Sequence, residues 1–478
     1  MRNVLLVSYT FPPQYDVSAR RAAKLCKYLP AAGWRPIVLT KDWAHDVADE
    51  DRRTYAMVSY PEALRELAGV TIVRAPYRSH DNAMRRLHER LGGVYGHGPR
   101  ETADAGDVSS DAASTGASRT AVRRPRSWTP RALARRTLSL AAPRFGDFPD
   151  AFRGWIDGAV QVGIDAIRLH SIDAIVSLCP PASAHVVASE IARQTGVPWV
   201  AQFDDLYSFH LERQRPAWRR YSDRRHRGWM REATLAGAIT PAMLAYVTRT
   251  YGLNGEVVMV GFDPDESPQV EPATRDRMRI AYTGSVYPGD QRPEIFFEAL
   301  DRVLQTYADT TLPIEVVFAG TGREEALETM LAPFPTAARA CVFVDRLAPR
   351  DALRLQRNAD ALLLLNCTAP SADEGTLSFP AKSFEYLDAA RPILAIPNDP
   401  GGWGDRLIET TRSGVTAGSA AAAAGVIRAW LDEWQATGTL AYAGKREDIV
   451  RYSQPRQAAT LGRLLDRAVA MGRDGRDP

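Results

Sequence analysis

The run from Phe379 to Ile396, FPAKSFEYLDAARPILAI, places a lysine and a glutamate three residues apart just behind a proline. Pro380 suits the first turn of a helix, where its fixed φ fits and its missing N–H costs nothing. A helix from there puts Lys382 and Glu385 on one face, with Phe384, Tyr386 and Leu387 offering apolar surface for packing. Pro392 to Ile396 then reads as a buried parallel strand. Amides around Ser378, Phe379, Pro380 and Ala381 would face an anion such as a diphosphate, and Glu385 would accept hydrogen bonds from ribose hydroxyls. That is the outline of a site for a nucleotide sugar. An ordinary surface helix with an exposed lysine and glutamate fits the same residues.

Other candidates lie at predicted strand ends. Gly284-Ser285 forms a turn after IAYT, and Arg292 lies near enough beyond it to reach a phosphate. Gly320-Thr321-Gly322 follows IEVVFA as a tight strand-to-helix turn. Without a third glycine it is poor evidence for a dinucleotide cofactor, and closing a nucleotide pocket suits it better. In the first half, Asp204 and Asp205 follow WVAQF at the expected cleft edge, where they can bind acceptor hydroxyls, assist deprotonation, or cap a helix. Lys382 joins this pair as a candidate catalytic group. Arg20, His185 and His210 are acceptor-side candidates, each with a structural role as the plain alternative. Asp263-Pro264-Asp265 spells a D-x-D metal motif, but inside a predicted linker, and is read as coincidence. No other carboxylate cluster has metal spacing, so the expectation is metal-independent chemistry without a cofactor.

These groups need a scaffold, and 478 residues suffice for two or three domains. Apolar content of 45% and charged content of 24% are those of a globular protein in water, and a net charge of +3 does not point to nucleic acid. Four scattered cysteines form no C-x-x-C pair, which argues against zinc or disulfides and for a reducing, cytoplasmic setting. Val4 to Val7 is too short for a signal-peptide core, and no run approaches the roughly 20 apolar residues of a membrane helix. NVLLV, a helical stretch and PIVLT make a βαβ unit. Strands follow at Val70 to Arg74, Ala174 to Leu178 and Pro198 to Phe203. A second series, IAYTGS, IEVVFAG, CVFVD, ADALLLLN and PILAI, begins after the Pro- and acid-rich linker GFDPDESPQVEPATRD. The predicted fold is α/β: two Rossmann-like parallel-sheet domains, 1–265 and 276–448, facing across a cleft, with a C-terminal helix in 449–478.

Residues 97–126 are dominated by Gly, Ser, Ala, Thr and Asp and read as a disordered insertion. From Arg119 to Arg144 many arginines and no acidic residue alternate with Trp128 and leucines. This segment fits peripheral contact with an anionic membrane or a lipid diphosphate, and equally a solvated linker plus a helix. Arg213 to Arg231 mixes arginines with Trp218, Tyr221 and Trp229, a pattern that suits RNA, a lipid headgroup, a sugar face or a helix with a charged outer side; no nucleic-acid motif accompanies it.

KSFEYLDAARPILAI resembles the donor-site helix of GT-B glycosyltransferases, especially glycosyltransferase family 4. LLVSYTFPPQYDVSARRAAKLCKYLPAAGWRPIVLT, SLCPPASAHVVA, VPWVAQFDDLYSF, VGFDPDE, IAYTGSVYPGD and FAGTGREEA resemble that family's patterns in the same order. The resemblance implies a glycosyl transfer from a nucleotide sugar to a polysaccharide, lipid-linked or small-molecule acceptor, with retention at the anomeric carbon. It also implies Glu385 as ribose ligand and a terminal helix returning to the first domain. Departures are visible. Many members carry an arginine directly after the glycine and a lysine several residues on, where this chain has Ser285 and Gln291. Many also pair two glutamates separated by seven residues, and the earlier position here is Leu377, with Asp373 or Glu374 as nearby substitutes. A sugar-nucleotide epimerase of the same fold and a non-catalytic binding relative therefore stay as rival readings.

Overall fold

The structure, a computed structural model, describes residues 1–14, 16–43, 67–78, 148–150, 152–206, 216–271, 275–287, 291–307, 311–321, 324–367, 379–397 and 402–474. The segments 97–126 and 119–144, together with Ser378, His210, Leu377, Asp373 and Glu374, lie outside the described residues.

In chain order the first unit holds β1 (Arg2–Val7), α1 (Val17–Tyr28), β2 (Trp34–Lys41), β3 (Thr71–Ala75), α2 (Ile156–His170), β4 (Ala174–Cys179), α3 (Ala182–Thr195), β5 (Trp199–Phe203), α4 (Pro216–Met230), β6 (Leu235–Ala238), α5 (Pro241–Tyr251) and β7 (Gly255–Val257). The strands form one parallel sheet in the order β3-β2-β1-β4-β5-β6-β7. Val4 to Val7 are fully buried because the central strand is covered on both faces. Leu5 and Val7 pack with α2 and α3, whereas Val4 and Leu6 pack with α1. That division follows from the two-residue period of a strand.

The second unit holds β8 (Met278–Thr283), α6 (Pro293–Leu304), β9 (Ile314–Ala319), α7 (Glu324–Leu331), α8 (Pro335–Ala340), β10 (Cys341–Val344), α9 (Pro349–Asn358), β11 (Ala361–Leu365), α10 (Lys382–Ala389), β12 (Ile393–Ile396), α11 (Trp403–Thr411), β13 (Gly414–Thr416) and α12 (Ala420–Thr437). Its parallel sheet has the order β10-β9-β8-β11-β12-β13. In both sheets the strand order reverses beside the first strand, β1 or β8, the place where such sheets open a crevice for ligands.

A short helix α13 (Arg446–Ile449) leads into α14 (Gln454–Asp474). Leu461, Leu464, Leu465, Ala468 and Val469 of α14 join the core formed by Val4, Leu6 and α1, so the last helix belongs to the first unit's packing. The chain thus passes between the units twice, and the two passages are bonded to each other: Phe262 N–H donates to the Tyr452 carbonyl (3.1 Å) and Gln454 N–H to the Phe262 carbonyl (2.7 Å). Gly261, at φ +73°, borders this junction, where a Cβ would stand 2.6 Å from the Tyr452 oxygen.

Three strands were not apparent from the sequence. β6 is LAGA, β7 is GEV and β13 is GVT, each too short and poor in large apolar residues to carry a periodic signal. The helix expected at Pro380 begins instead at Lys382, and Pro380-Ala381 forms the turn before it. Leu464 is 0% exposed in the α14 interface and Leu169 on α2 is 78% exposed. Leu464→Ala is expected to lower stability by about 2–5 kcal/mol and Leu169→Ala by under about 0.5 kcal/mol, as read by urea unfolding.

Candidate functional site

The end of β8 and the start of α10 meet directly. Thr283 N–H donates to the Tyr386 hydroxyl at 2.9 Å, which fixes the helix against the strand end. Gly284 follows at φ +91°, a conformation that favours glycine, and a Cβ there would lie 3.2 Å from Lys382 Nζ and push the lysine by a few tenths of an ångström. The Lys382 ammonium stands 3.8 Å from the Tyr282 ring centroid and within 3.5 Å of the Ser285 carbonyl. Enclosure by protein pushes its pKa down to about 7, although Glu385 opposes the shift. Before it, Phe379 is wedged against Phe384 and Trp403, at ring-centroid distances of 5.7 and 4.8 Å. The Ser383 and Phe384 amides bond back to Pro380 and Ala381, and no side chain caps this helix start. The amides ahead of these, those of Ala381 and Lys382, are the ones that can turn to solvent or an anion.

One turn into α10, Glu385 is gripped from two sides. Gln356 of α9, only 1% exposed, donates through Nε2 to Glu385 Oε2 at 3.2 Å and to Thr283 Oγ1 at 3.0 Å. Arg20 of α1 donates through Nη1 to Glu385 Oε1 at 2.6 Å and through Nη2 to Glu266 Oε2 at 2.6 Å. A carboxylate has about four lone-pair sites, so these two donors orient it without exhausting it.

Arg20 begins a cationic row on α1 that faces the linker. Lys24 contacts Glu266 at 2.6 Å and Asp263 at 2.7 Å, and Lys27 contacts Asp263 at 3.0 Å and Asp265 at 2.9 Å. The Tyr28 hydroxyl also donates to Asp263. Burial alone would raise the Asp263 pKa, but Lys24, Tyr28 and Lys27 hold it down at about 2. The D-x-D sequence is therefore occupied as an ion-pair clamp. Among the described residues no group of three or more His, Cys, Asp or Glu could hold a metal.

The remaining predicted residues fall elsewhere. Asp204 and Asp205 cap the end of β5, their amides both bonding to the Cys179 carbonyl. Asp204 accepts from Gln202 Nε2 at 2.9 Å and lies 3.7 Å from buried Arg21. Burial raises its pKa, and Arg21 counters. Arg21 also donates to the Val260 carbonyl, which ties Asp204 to the chain leaving the first unit. Asp205 accepts from the Leu206 amide at 2.8 Å. His185 is buried on α3, with Nδ1 2.7 Å from Ser177 Oγ and its ring against Phe203 and Trp199, and burial lowers its pKa to about 3. Arg292 is exposed and pairs with Glu294 at 2.6 Å. Gln291 is buried, bonding the Tyr287 amide and the Leu365 carbonyl, so it braces the turn from within. Gly320, at φ +70°, lies beside Arg346. Thus Arg20, Gly284, Ser285, Lys382 and Glu385 are brought together, whereas Asp204, His185 and Arg292 are engaged by Arg21, Ser177 and Glu294.

No family model and no curated protein matches the chain. Solved structures do match over nearly the whole length. The UDP-glucose complex of HepE from Anabaena aligns over 99% of both chains at 13% identity and a TM-score of 0.52. The trehalose-6-phosphate phosphatase N-terminal domain of Candida albicans aligns over 98% of this chain and 97% of its own, at 11% identity and 0.56. The lipopolysaccharide outer core galactosyltransferase WaaB aligns over 98% and 99%, at 11% and 0.53. The chain has the GT-B fold. In GT-B terms Arg20 belongs to the first Rossmann-like unit and Glu385 to the second, so their ion pair spans the cleft. At such identities the likeness gives the architecture and leaves the activity to the residues.

Gln356, Lys24 and Glu266 were missed by sequence reasoning, and Tyr386 was read only as packing surface. Arg20, Lys24 and Lys27 recur at i, i+4 and i+7 opposite an acidic linker, a charge complementarity that was legible. Gln356 gave only a faint sign, a lone amide on the inner face of α9. The clamp yields a pH prediction. Asp263 is held at about 2 against an ordinary 3.8, so its contribution is complete above about pH 4 and is lost as pH falls toward 2. Asp263→Asn should lower the urea midpoint at pH 7 and make its decline between pH 4 and 2.5 shallower than in the unsubstituted protein, as followed by tryptophan fluorescence.

Proposed function

We propose that this GT-B protein transfers a glycosyl group from a nucleotide-sugar donor held by the second domain to an acceptor held by the first. The observation that carries the reading is the placement of Lys382 and Glu385 three residues apart on α10, one against the Gly284 turn and the other steadied by Gln356 and Arg20. The HepE structures with UDP and UDP-glucose support a nucleotide sugar as donor and make uridine the first base to test. WaaB, named as a galactosyltransferase acting on lipopolysaccharide outer core, supports a saccharide acceptor.

In this reading the diphosphate faces the amides of Ala381 and Lys382 and the Lys382 ammonium, while ribose hydroxyls donate to the remaining lone pairs of Glu385. The bond between the sugar C1 and the β-phosphate oxygen breaks, and negative charge accumulates on the departing diphosphate. Fixed positive groups aimed at that charge lower the barrier, because they need no reorganisation as it develops. The acceptor oxygen bonds to C1 and its proton passes to the leaving phosphate, the retaining course that the family resemblance implies. Asp204 and Asp205 remain acceptor-side candidates through their position at the end of β5, with Asp204 engaged by Arg21.

Calorimetry with UDP, GDP, TDP and ADP is expected to select one base, and Glu385→Gln to weaken that nucleotide about tenfold or more, the range for a hydrogen bond to a charged group. Unchanged affinity would remove Glu385 from the site. A lysine with a pKa of about 7 is charged below that pH and neutral above it. Nucleotide affinity should therefore decline from pH 7 to 9, and Lys382→Arg should flatten the decline. Mass spectrometry after incubation with nucleotide sugars and saccharide acceptors tests the reaction: free nucleotide with a glycosylated product supports transfer, an isomerised sugar indicates an epimerase, and binding without turnover a non-catalytic relative.

A further inference from the structure

The described arginines of the Arg213 to Arg231 segment stand apart from α10 and its partners, on the first unit. On α4, Arg220, Arg224 and Arg227 recur at intervals of four and three residues, which places them on one face, and Arg231 follows just past the helix end. Arg249 of α5 completes the lining of an open groove of about 810 Å³. These five arginines are exposed. The carboxylate among the lining residues, Asp223, accepts hydrogen bonds at 3.0 Å from the Tyr246 hydroxyl. Arg227 Nε donates to the Thr250 carbonyl at 2.9 Å, which steadies the middle of the row. The opposite face of α4 is anchored in the first unit through buried Ser222, His226 and Met230. The row is therefore carried on a fixed helix.

We propose that this groove is a docking surface for an anionic phospholipid membrane, with lipid phosphates seated among the guanidinium groups. Arg220 and Arg231 stand eleven positions apart, about 16 Å at helical rise, a row of positive charge on a fixed backbone that a planar array of phosphates can match. Guanidinium forks bind phosphate bidentately and shed water more readily than ammonium groups. A single-stranded nucleic acid would call for open aromatic faces on which bases stack. Among the described residues the aromatic groups beside the row pack on one another: Phe148 packs on Tyr221, His226 and Trp229 at centroid distances of 5.4, 5.8 and 5.5 Å, which leaves Tyr221 37% exposed at the edge of the cluster. The phosphates of a surface thus suit the site better than the bases of a strand. No described helix is long and apolar enough to cross a membrane, so this contact would be electrostatic and peripheral. It stands independently of the donor-site reading.

The test is co-sedimentation of the full-length protein with vesicles of phosphatidylglycerol and phosphatidylcholine, against vesicles of phosphatidylcholine alone. The informative variant is Arg220→Gln/Arg224→Gln/Arg231→Gln, which spares the Arg227 hydrogen bond; Arg168→Gln/Arg302→Gln removes distant surface charge as a control. Each arginine near an anionic surface contributes about fivefold to partitioning. The triple variant should lose about a hundredfold in binding to anionic vesicles while its thermal unfolding is unchanged, and the control should retain binding to within about fivefold. Raising the salt should weaken the unsubstituted protein's binding. The proposal is overturned if anionic and zwitterionic vesicles bind alike, if the triple variant binds as the unsubstituted protein does, or if single-stranded RNA binds through these arginines more tightly than the vesicles.

Discussion

Glu385 belongs to the second domain, yet half of what holds its carboxylate comes from the first. Arg20 and Glu385 side chains are 25% and 20% exposed, so each charge has lost much of its water and depends on the other. Removing either partner leaves a charge in a half-buried place, whereas together the two charges pair with each other, with Gln356 Nε2 and Glu266 as further partners. Such a pair adds little net stability. It fixes which face of α10 meets which face of α1, and so sets the position of the Gly284 turn, Lys382 and the uncapped helix start relative to the first domain.

The same helix governs the rest of the interface. α1 packs its apolar side under the first sheet, and its polar side supplies Arg20, Arg21, Lys24 and Lys27 to the linker and the second domain. Beyond it, Asp388 at the far end of α10 gathers Arg357 (2.8 Å), Arg446 (2.7 Å) and Ser267. α10 is thus tied at both ends to groups around the domain junction.

Much of the fold was legible because the central strands are continuous apolar runs: VLLV, IVSL, VVFA and LLLL announce parallel strands without ambiguity. β6, β7 and β13 escaped because edge-side strands of three or four residues, with glycine or polar members, need no such run. In the site, Lys382, Glu385 and Gly284 could be named from spacing and turn chemistry. Their supports could not, since Gln356 and Tyr386 act through contacts between elements distant in sequence. His185 shows the opposite limit, because a histidine beside a strand end looks alike in sequence whether it faces a cleft or, as here, Ser177 and Trp199 in the core.

A crystal structure of the protein with a bound nucleoside diphosphate tests the central claim most directly. The account predicts phosphate oxygens against the amides of Ala381 and Lys382 and against Lys382 Nζ, with both ribose hydroxyls within about 3 Å of the Glu385 carboxylate. A nucleotide lodged elsewhere, with Glu385 still held only by Arg20 and Gln356, would contradict it.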